Sequence, residues 1–188
     1  IERFNFNYIG GNVYNQGNLT AVGNIFRNNT GKYVKPNTWY EGYPTIYNVG
    51  SYLNLSYNAF IGNVYFNSIS IDLFNNGAKY ISLDNNWWGG DDPLATNKVN
   101  TVNTWIVLDI TPEYSALNIN ESVSIEASFK LSNGEYIKEK VFPEFNITLT
   151  DGKTTVINGP FMFDKTQNKG SYTVSATLIC EIFAMFYL

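Results

Sequence analysis

The residues best able to do chemistry sit together in LDNNWWGGDDP, residues 83–93. Asp84, Asp91 and Asp92 supply carboxylates, Asn86 an amide oxygen, and Trp87 and Trp88 two large rings. Three chemistries follow. Paired carboxylates hydrolyse glycosidic bonds when set roughly 5–5.5 Å or 6.5–9.5 Å apart. Carboxylate and amide oxygens suit a hard cation, which makes Asp84, Asp91 and Asp92 calcium candidates with Asn86, although the spacing is not that of an EF-hand loop. An indole face can stack on a sugar. If the motif alternates as a strand does, one Trp faces in and the other out, and Trp87 is the outward candidate.

The rest of the composition narrows these options. There is no histidine among 188 residues, which removes the commonest general base and metal ligand. The net charge of −4 argues against a nucleic-acid footprint. Cys180 is the single cysteine, so no internal disulfide is available. No apolar run reaches the roughly 18 residues of a membrane span. The chain begins at Ile1 without a methionine or a signal-peptide pattern, and so reads as a fragment or a processed product. No Gly-rich phosphate cradle, Cys/His cluster or nucleophile elbow is visible, and no cofactor is expected.

The elements that must position the motif differ between the two parts of the chain. Residues 1–103 hold 21 asparagines and balanced charge, while residues 104–188 hold 6 asparagines and all of the net charge of −4. The polar stretch ATNKVNTVNT places a boundary near residues 100–104. Before it, a pattern of Asn, any residue, a large apolar residue, two of any kind, then Asn or Asp occurs four times. It reads NYIGGN from Asn7, NIFRNN from Asn24, NAFIGN from Asn58 and NWWGGD from Asn86. Short alternating runs between the copies have the period of strands. Irregular spacing of the copies fits layers of variable length better than a fixed helical repeat. These features predict a parallel β-solenoid over residues 1–103. Ile9, Phe26, Phe60 and Trp88 would stack in its interior, and asparagines would supply corners and hydrogen-bonded ladders.

After the boundary, strand candidates WIVLDI, SVSIEASFKL, FNITLT, TTVI, GPFMFD and SYTVSATL are separated by the turn signals SNGE, TDGK and NKG. This pattern predicts an immunoglobulin-like β-sandwich over residues 104–178, with hairpin turns. Residues 179–188, ICEIFAMFYL, form an atypical tail that is either a terminal edge or a last strand seeking a partner.

The Asn-rich repeats closed by Asn85, Asn86, Trp87, Trp88, Gly89 and Pro93, followed by Trp105, Ile106, Val107 and Leu108, resemble the adhesin-like surface proteins of methanogenic archaea. The resemblance covers most of the chain. It implies an all-β fold, with the C-terminal coils of a right-handed parallel β-helix followed by an immunoglobulin-like β-sandwich. It also implies an extracellular, cell-surface setting, no catalysis, and attachment to glycans or other cell-surface proteins.

In that frame Trp87 and Trp88 read as capping residues. Each ring can cover on the order of 150–250 Å² of apolar interior at the end of a solenoid. Gly89 and Gly90 permit a sharp turn, and Pro93 stops a ladder. The enzyme reading lacks the Gly-His-Gly and Arg-Ile-Lys elements of β-helical polysaccharide hydrolases, and Arg3 and Arg27 are the only arginines. A carbohydrate-binding module or a polysaccharide-active β-helix is the alternative. The insert of residues 31–44 carries Tyr33, Trp39, Tyr40 and Tyr43, the residues best suited to a ligand contact, although they could equally fold back over the coil surface. Five glycosylation triplets, at Asn18, Asn28, Asn54, Asn120 and Asn146, are compatible with a surface protein and expected by chance in a chain this rich in asparagine.

Overall fold

The computed structural model describes residues 13–31, 44–65, 72–89, 93–94, 101–112, 122–137, 141–151, 153–164, 173–178 and 181–187. Among these the protein is all-β, with no helix. Contacts divide the chain into two compact units: Ile1–Ile106 with Leu131–Pro143, and Val107–Lys130 with Glu144–Leu188. The sequence reading kept all of residues 104–178 in one domain, whereas Leu131–Pro143 clusters with the first unit.

In the first unit ten short strands pair in parallel. They are β1 (Val13–Asn15), β2 (Asn18–Val22), β3 (Ile25–Arg27), β4 (Thr30–Gly31), β5 (Ile46–Asn48), β6 (Tyr52–Ser56), β7 (Ala59–Ile61), β8 (Val64–Tyr65), β9 (Leu73–Asn75) and β10 (Tyr80–Ser82). Strand β5 lies between β1 and β9, β6 between β2 and β10, β7 beside β3, and β8 beside β4. Stacked asparagines are 33 or 34 residues apart between the first and second layers, and 27 or 28 between the second and third. The alternation in the sequence produces the interior directly. Leu53 and Leu55 of β6 are buried, Leu19 and Ala21 of β2 lie beside them in register, and the residues between point outward. Phe26, Phe60 and Trp88 form one column, with ring centroids 4.9 and 4.5 Å apart and planes within 8° and 7°. The strand spacing of about 4.8 Å imposes that distance. Ile9 lies outside the described residues.

Asparagine ladders run beside this column. Asn58 Oδ1 accepts from the Asn24 backbone N–H at 2.9 Å and from Asn24 Nδ2 at 3.1 Å. Asn86 Oδ1 receives the same pair from Asn58, both at 2.9 Å. Because the backbone N–H donors fix which side-chain atom is oxygen, the amide orientations follow from the ladder itself. Each of these residues follows one in the left-handed region, namely Gly23 (φ 68°), Tyr57 (φ 54°) and Asn85 (φ 63°). Corner and ladder duties therefore fall on adjacent residues, where the sequence reading gave both to asparagine.

A second repeat closes each layer's first strand: VYNQG from Val13, IYNVG from Ile46 and LFNNG from Leu73. Asn48 Nδ2 donates to Asn75 Oδ1 at 2.6 Å, and Asn15 Nδ2 donates to Asn48 Oδ1. The glycine follows from close approach between layers. A Cβ on Gly50 would collide with the Gly17 carbonyl, and one on Gly77 would stand 2.7 Å from the Val49 carbonyl oxygen.

The second unit has β11 (Ile106–Pro112), β12 (Ser122–Leu131), β13 (Ile147–Thr150), β14 (Thr155–Ile157), β15 (Phe161–Asp164), β16 (Thr173–Leu178) and β17 (Glu181–Tyr187). One sheet has the order β11-β12-β15 and the other β14-β13-β16-β17. Val123 and Ile125 of β12, Leu149 of β13, and Val174, Ala176 and Leu178 of β16 are buried. The TDGK turn makes a true hairpin between β13 and β14, with Asp151 Oδ1 accepting from the Lys153 and Thr154 N–H groups. The SNGE turn does not join paired strands, because β12 and β13 lie in different sheets. The tail after Leu178 supplies β17, antiparallel to β16 with a register shift at Ala176/Thr177.

Candidate functional site

The Trp-Trp motif sits where the ladders of the first unit end. Leu83, Asn86, Trp87 and Trp88 are buried, and both tryptophans are 0 % exposed. Trp88 enters the aromatic column against Phe60. Trp87 is paired in parallel with Ala59, with its N–H donating to Asn58 O and its carbonyl accepting from Phe60 N–H, each at 2.8 Å. The expectation of an outward, sugar-facing Trp87 is corrected here. The partner strand β7 is buried at all three residues, so both faces of this segment are covered and strand alternation does not expose one ring.

The motif is not the outermost layer. Asn85 N–H donates to Thr104 O at 2.7 Å, Ile106 N–H donates to Asn86 O at 2.9 Å, and Asn86 bridges Trp105 in parallel. Val102 and Trp105 pack, partly buried, against the same apolar cluster as Trp88. The final asparagine also changes partners. Asn86 Nδ2 donates upward to Leu55 O at 2.8 Å and to its own layer's Leu83 O at 2.7 Å. Coverage is local, for Ile81 at the downstream edge of β10 remains 38 % exposed.

Asp84 fastens this short last layer. Its Oδ1 accepts from the N–H of Asn103 at 2.7 Å and of Thr104 at 3.4 Å, and its Oδ2 accepts from Asn103 Nδ2 at 3.0 Å. Partial burial pushes the carboxyl up, but the Asn103 side-chain bond and the two backbone N–H bonds outweigh it and hold Asp84 below the usual carboxylate range. A folded-state value depressed in this way contributes stability that is present above the unfolded value near 3.9 and is lost as pH falls through the folded one. The Asp84→Asn variant is therefore expected to lose less stability than the native chain between about pH 5 and pH 2, with the gap widest at neutral pH. Chemical denaturation at several pH values checks this; a pH-independent gap between the two proteins would contradict it.

Of the calcium candidates, Asp84 has both oxygens engaged by N–H donors of the chain, while Asp91 and Asp92 lie outside the described residues. Among the described residues no group of three or more His, Cys, Asp or Glu converges as a metal site would require. Tyr33, Trp39, Tyr40 and Tyr43 also lie outside them. Of the glycosylation triplets, Asn18, Asn28 and Asn146 are exposed and Asn54 is half-buried. The second unit carries a depression of about 320 Å³ lined by Glu126, Ala127, Ile147, Leu149, Asn158, Gly159 and Pro160. The Asn158 side chain there is held by Ile147 N–H and Asn146 Oδ1.

The sequence reading missed two outward aromatic rows. Tyr14, Tyr47 and Phe74 stand in register at centroid distances of 5.7 and 4.7 Å, and Tyr52 stacks on Tyr80 at 4.8 Å. Phe74 is 42 % and Tyr80 51 % exposed. The apolar–aromatic–Asn–x–Gly repeat was the signal for the first row. Among the described residues no helix is long and apolar enough to cross a membrane. Comparison with known proteins yields no matching family model, no matching curated sequence and no matching solved structure.

Proposed function

We propose that this chain is a non-catalytic piece of an extracellular adhesin-like protein, a structural stalk and display module for attachment to cells or glycans. In this reading the first unit is the end of a right-handed parallel β-helix and the second an immunoglobulin-like β-sandwich. The observation that carries the proposal is how the polar core is used. Asn58, Asn63 and Asn86 are buried with their amides bonded between layers, and Asp84 closes the last layer, so these four polar groups hold architecture. Parallel pairing in the first unit and the two sheet orders of the second support the fold assignment. Protease treatment of intact source cells is expected to release peptides of this chain. Their recovery only after lysis would overturn the surface assignment.

The aromatic rows favour carbohydrate binding as a second reading. Rings within a row cover one another, so Phe74 and Tyr80, the exposed last members, offer the faces for a sugar. Saturable binding on a glycan array, lost in Phe74→Ala and Tyr80→Ala, would establish it. Release of reducing ends from any arrayed polysaccharide would overturn the non-catalytic assignment.

A further inference from the structure

Leu131–Pro143 connects β12 to β13, both strands of the second unit, yet its contacts are with the first. Its opening turn is self-contained. Leu131 N–H donates to Glu135 O and Gly134 N–H donates to Leu131 O, both at 2.8 Å, while Glu135 N–H reaches Asn133 Oδ1 at 3.0 Å. That rigid turn grips Trp105 at two points. Ser132 N–H donates to Trp105 O at 2.7 Å, and Trp105 N–H donates to Ser132 Oγ at 3.2 Å. Trp105 belongs to the last layer, below Asn86.

At the other end of the segment Val141 meets the first described layer. A Cβ placed on Gly23 would stand 2.6 Å from the Val141 carbonyl oxygen. Gly23 shares its left-handed corner with Tyr57 and Asn85 in the next two layers. Those residues show that the corner accepts a side chain, so backbone conformation alone does not require glycine there. Contact with Val141 does. One connection thus touches the last layer at Trp105 and the first described layer at Gly23.

We propose that the connection between β12 and β13 is a strap on the stack, seated at Gly23 through Val141 and buckled at Trp105 through Ser132, which ties the first described layer to the last. The chain enters the second unit, returns to strap the first, and leaves again, so disturbance at one anchor loosens the other. This inference does not depend on the surface assignment.

Amide hydrogen exchange on the full chain tests it, because exchange reads local opening rather than global stability. Gly23→Asn keeps a residue suited to the left-handed corner and adds a side chain whose Cβ collides with the Val141 carbonyl. It is expected to speed exchange at the Ser132 and Trp105 amides about tenfold, the effect of an overpacked contact. Gly62→Asn makes the same change at another left-handed corner, where the added Cβ meets only the Asn28 side chain, and should leave those two amides unchanged. Ser132→Ala supplies the reverse arm if Gly23→Asn fails to fold: by loosening the buckle it should speed exchange at Gly23, whose N–H donates to Ser56 O at 3.3 Å. Equal effects of Gly23→Asn and Gly62→Asn at Ser132 and Trp105, or unchanged Gly23 exchange in Ser132→Ala, would overturn the strap.

Discussion

Trp88→Ala is expected to destabilise the protein by about 3–5 kcal/mol, the range for deleting a large aromatic from a packed interior. The ring is fully buried, stacks on Phe60 at 4.5 Å, and among the described residues is the last of a column that runs from Phe26 through Phe60. Its removal leaves one face of Phe60 against a cavity that the neighbouring layer is poorly placed to fill, because backbone bonds at Asn86 and Trp87 hold that layer in register. Set against a typical total of 5–15 kcal/mol, the loss is large enough to threaten folding at ordinary temperatures. Trp88→Phe is the informative partner. Phe already occupies the two preceding positions of the column, so this variant preserves the stack, leaves a smaller cavity and should cost clearly less than Trp88→Ala. Urea denaturation monitored by far-UV dichroism measures both. Equal midpoints for Trp88→Ala and the native chain would show that the column contributes little.

Asn58→Ala is expected to cost about 3 kcal/mol through a different mechanism. Asn58 links three layers. Its Oδ1 accepts from Asn24 N–H and Nδ2, its Nδ2 donates to Asn86 Oδ1, and a second proton on Nδ2 reaches Ala21 O at 2.8 Å. Alanine strands several of these groups away from water, each worth roughly 1–3 kcal/mol and not additive. Asn58→Asp separates hydrogen bonding from size. The new carboxylate can still accept from Asn24 but has no N–H to offer Ala21 O or Asn86 Oδ1. Burial and those facing oxygens raise the folded-state value of the introduced carboxyl above the unfolded value near 3.9. Its contribution is thus fully present below that unfolded value and lost as pH rises through the folded one. Relative to the native chain at the same pH, Asn58→Asp should therefore be closer to native at pH 4 than at pH 7. A deficit independent of pH would argue against a ladder that depends on amide donors.

Local signals carried much of this fold. The strands of the second unit from β12 to β16 fall within the runs read from alternation and turn residues, and β11 outruns its run by two residues, since period-two patterning and Asp-Gly turns act over a few residues. Phe26, Phe60 and Trp88 shared a register visible as a spaced motif. What escaped the sequence depended on neighbours far along the chain. The VYNQG, IYNVG and LFNNG repeat was hidden because the connections between layers differ in length, so no single period aligns the copies. Trp87 reads as an outward residue from its own strand, and only the covering of β7 on both sides buries it. Nothing in SNGE indicates that the segment after β12 returns to the first unit, because the cause is a contact with Gly23 more than a hundred residues earlier.

Among the described residues, the bonds from one side-chain amide to another between layers all run one way. Asn15 to Asn48, Asn48 to Asn75, Asn24 to Asn58, Asn58 to Asn86 and Asn29 to Asn63 each donate from the earlier layer to the later. Their dipoles therefore add head to tail, and each bond polarises the next. The stack has a sense, like a zip that closes in one direction only. A layer duplicated or deleted whole leaves every donor facing an acceptor, whereas an inverted layer would set oxygen against oxygen. Such a body can vary in length over evolution in whole layers, without redesigning the joint between any two of them.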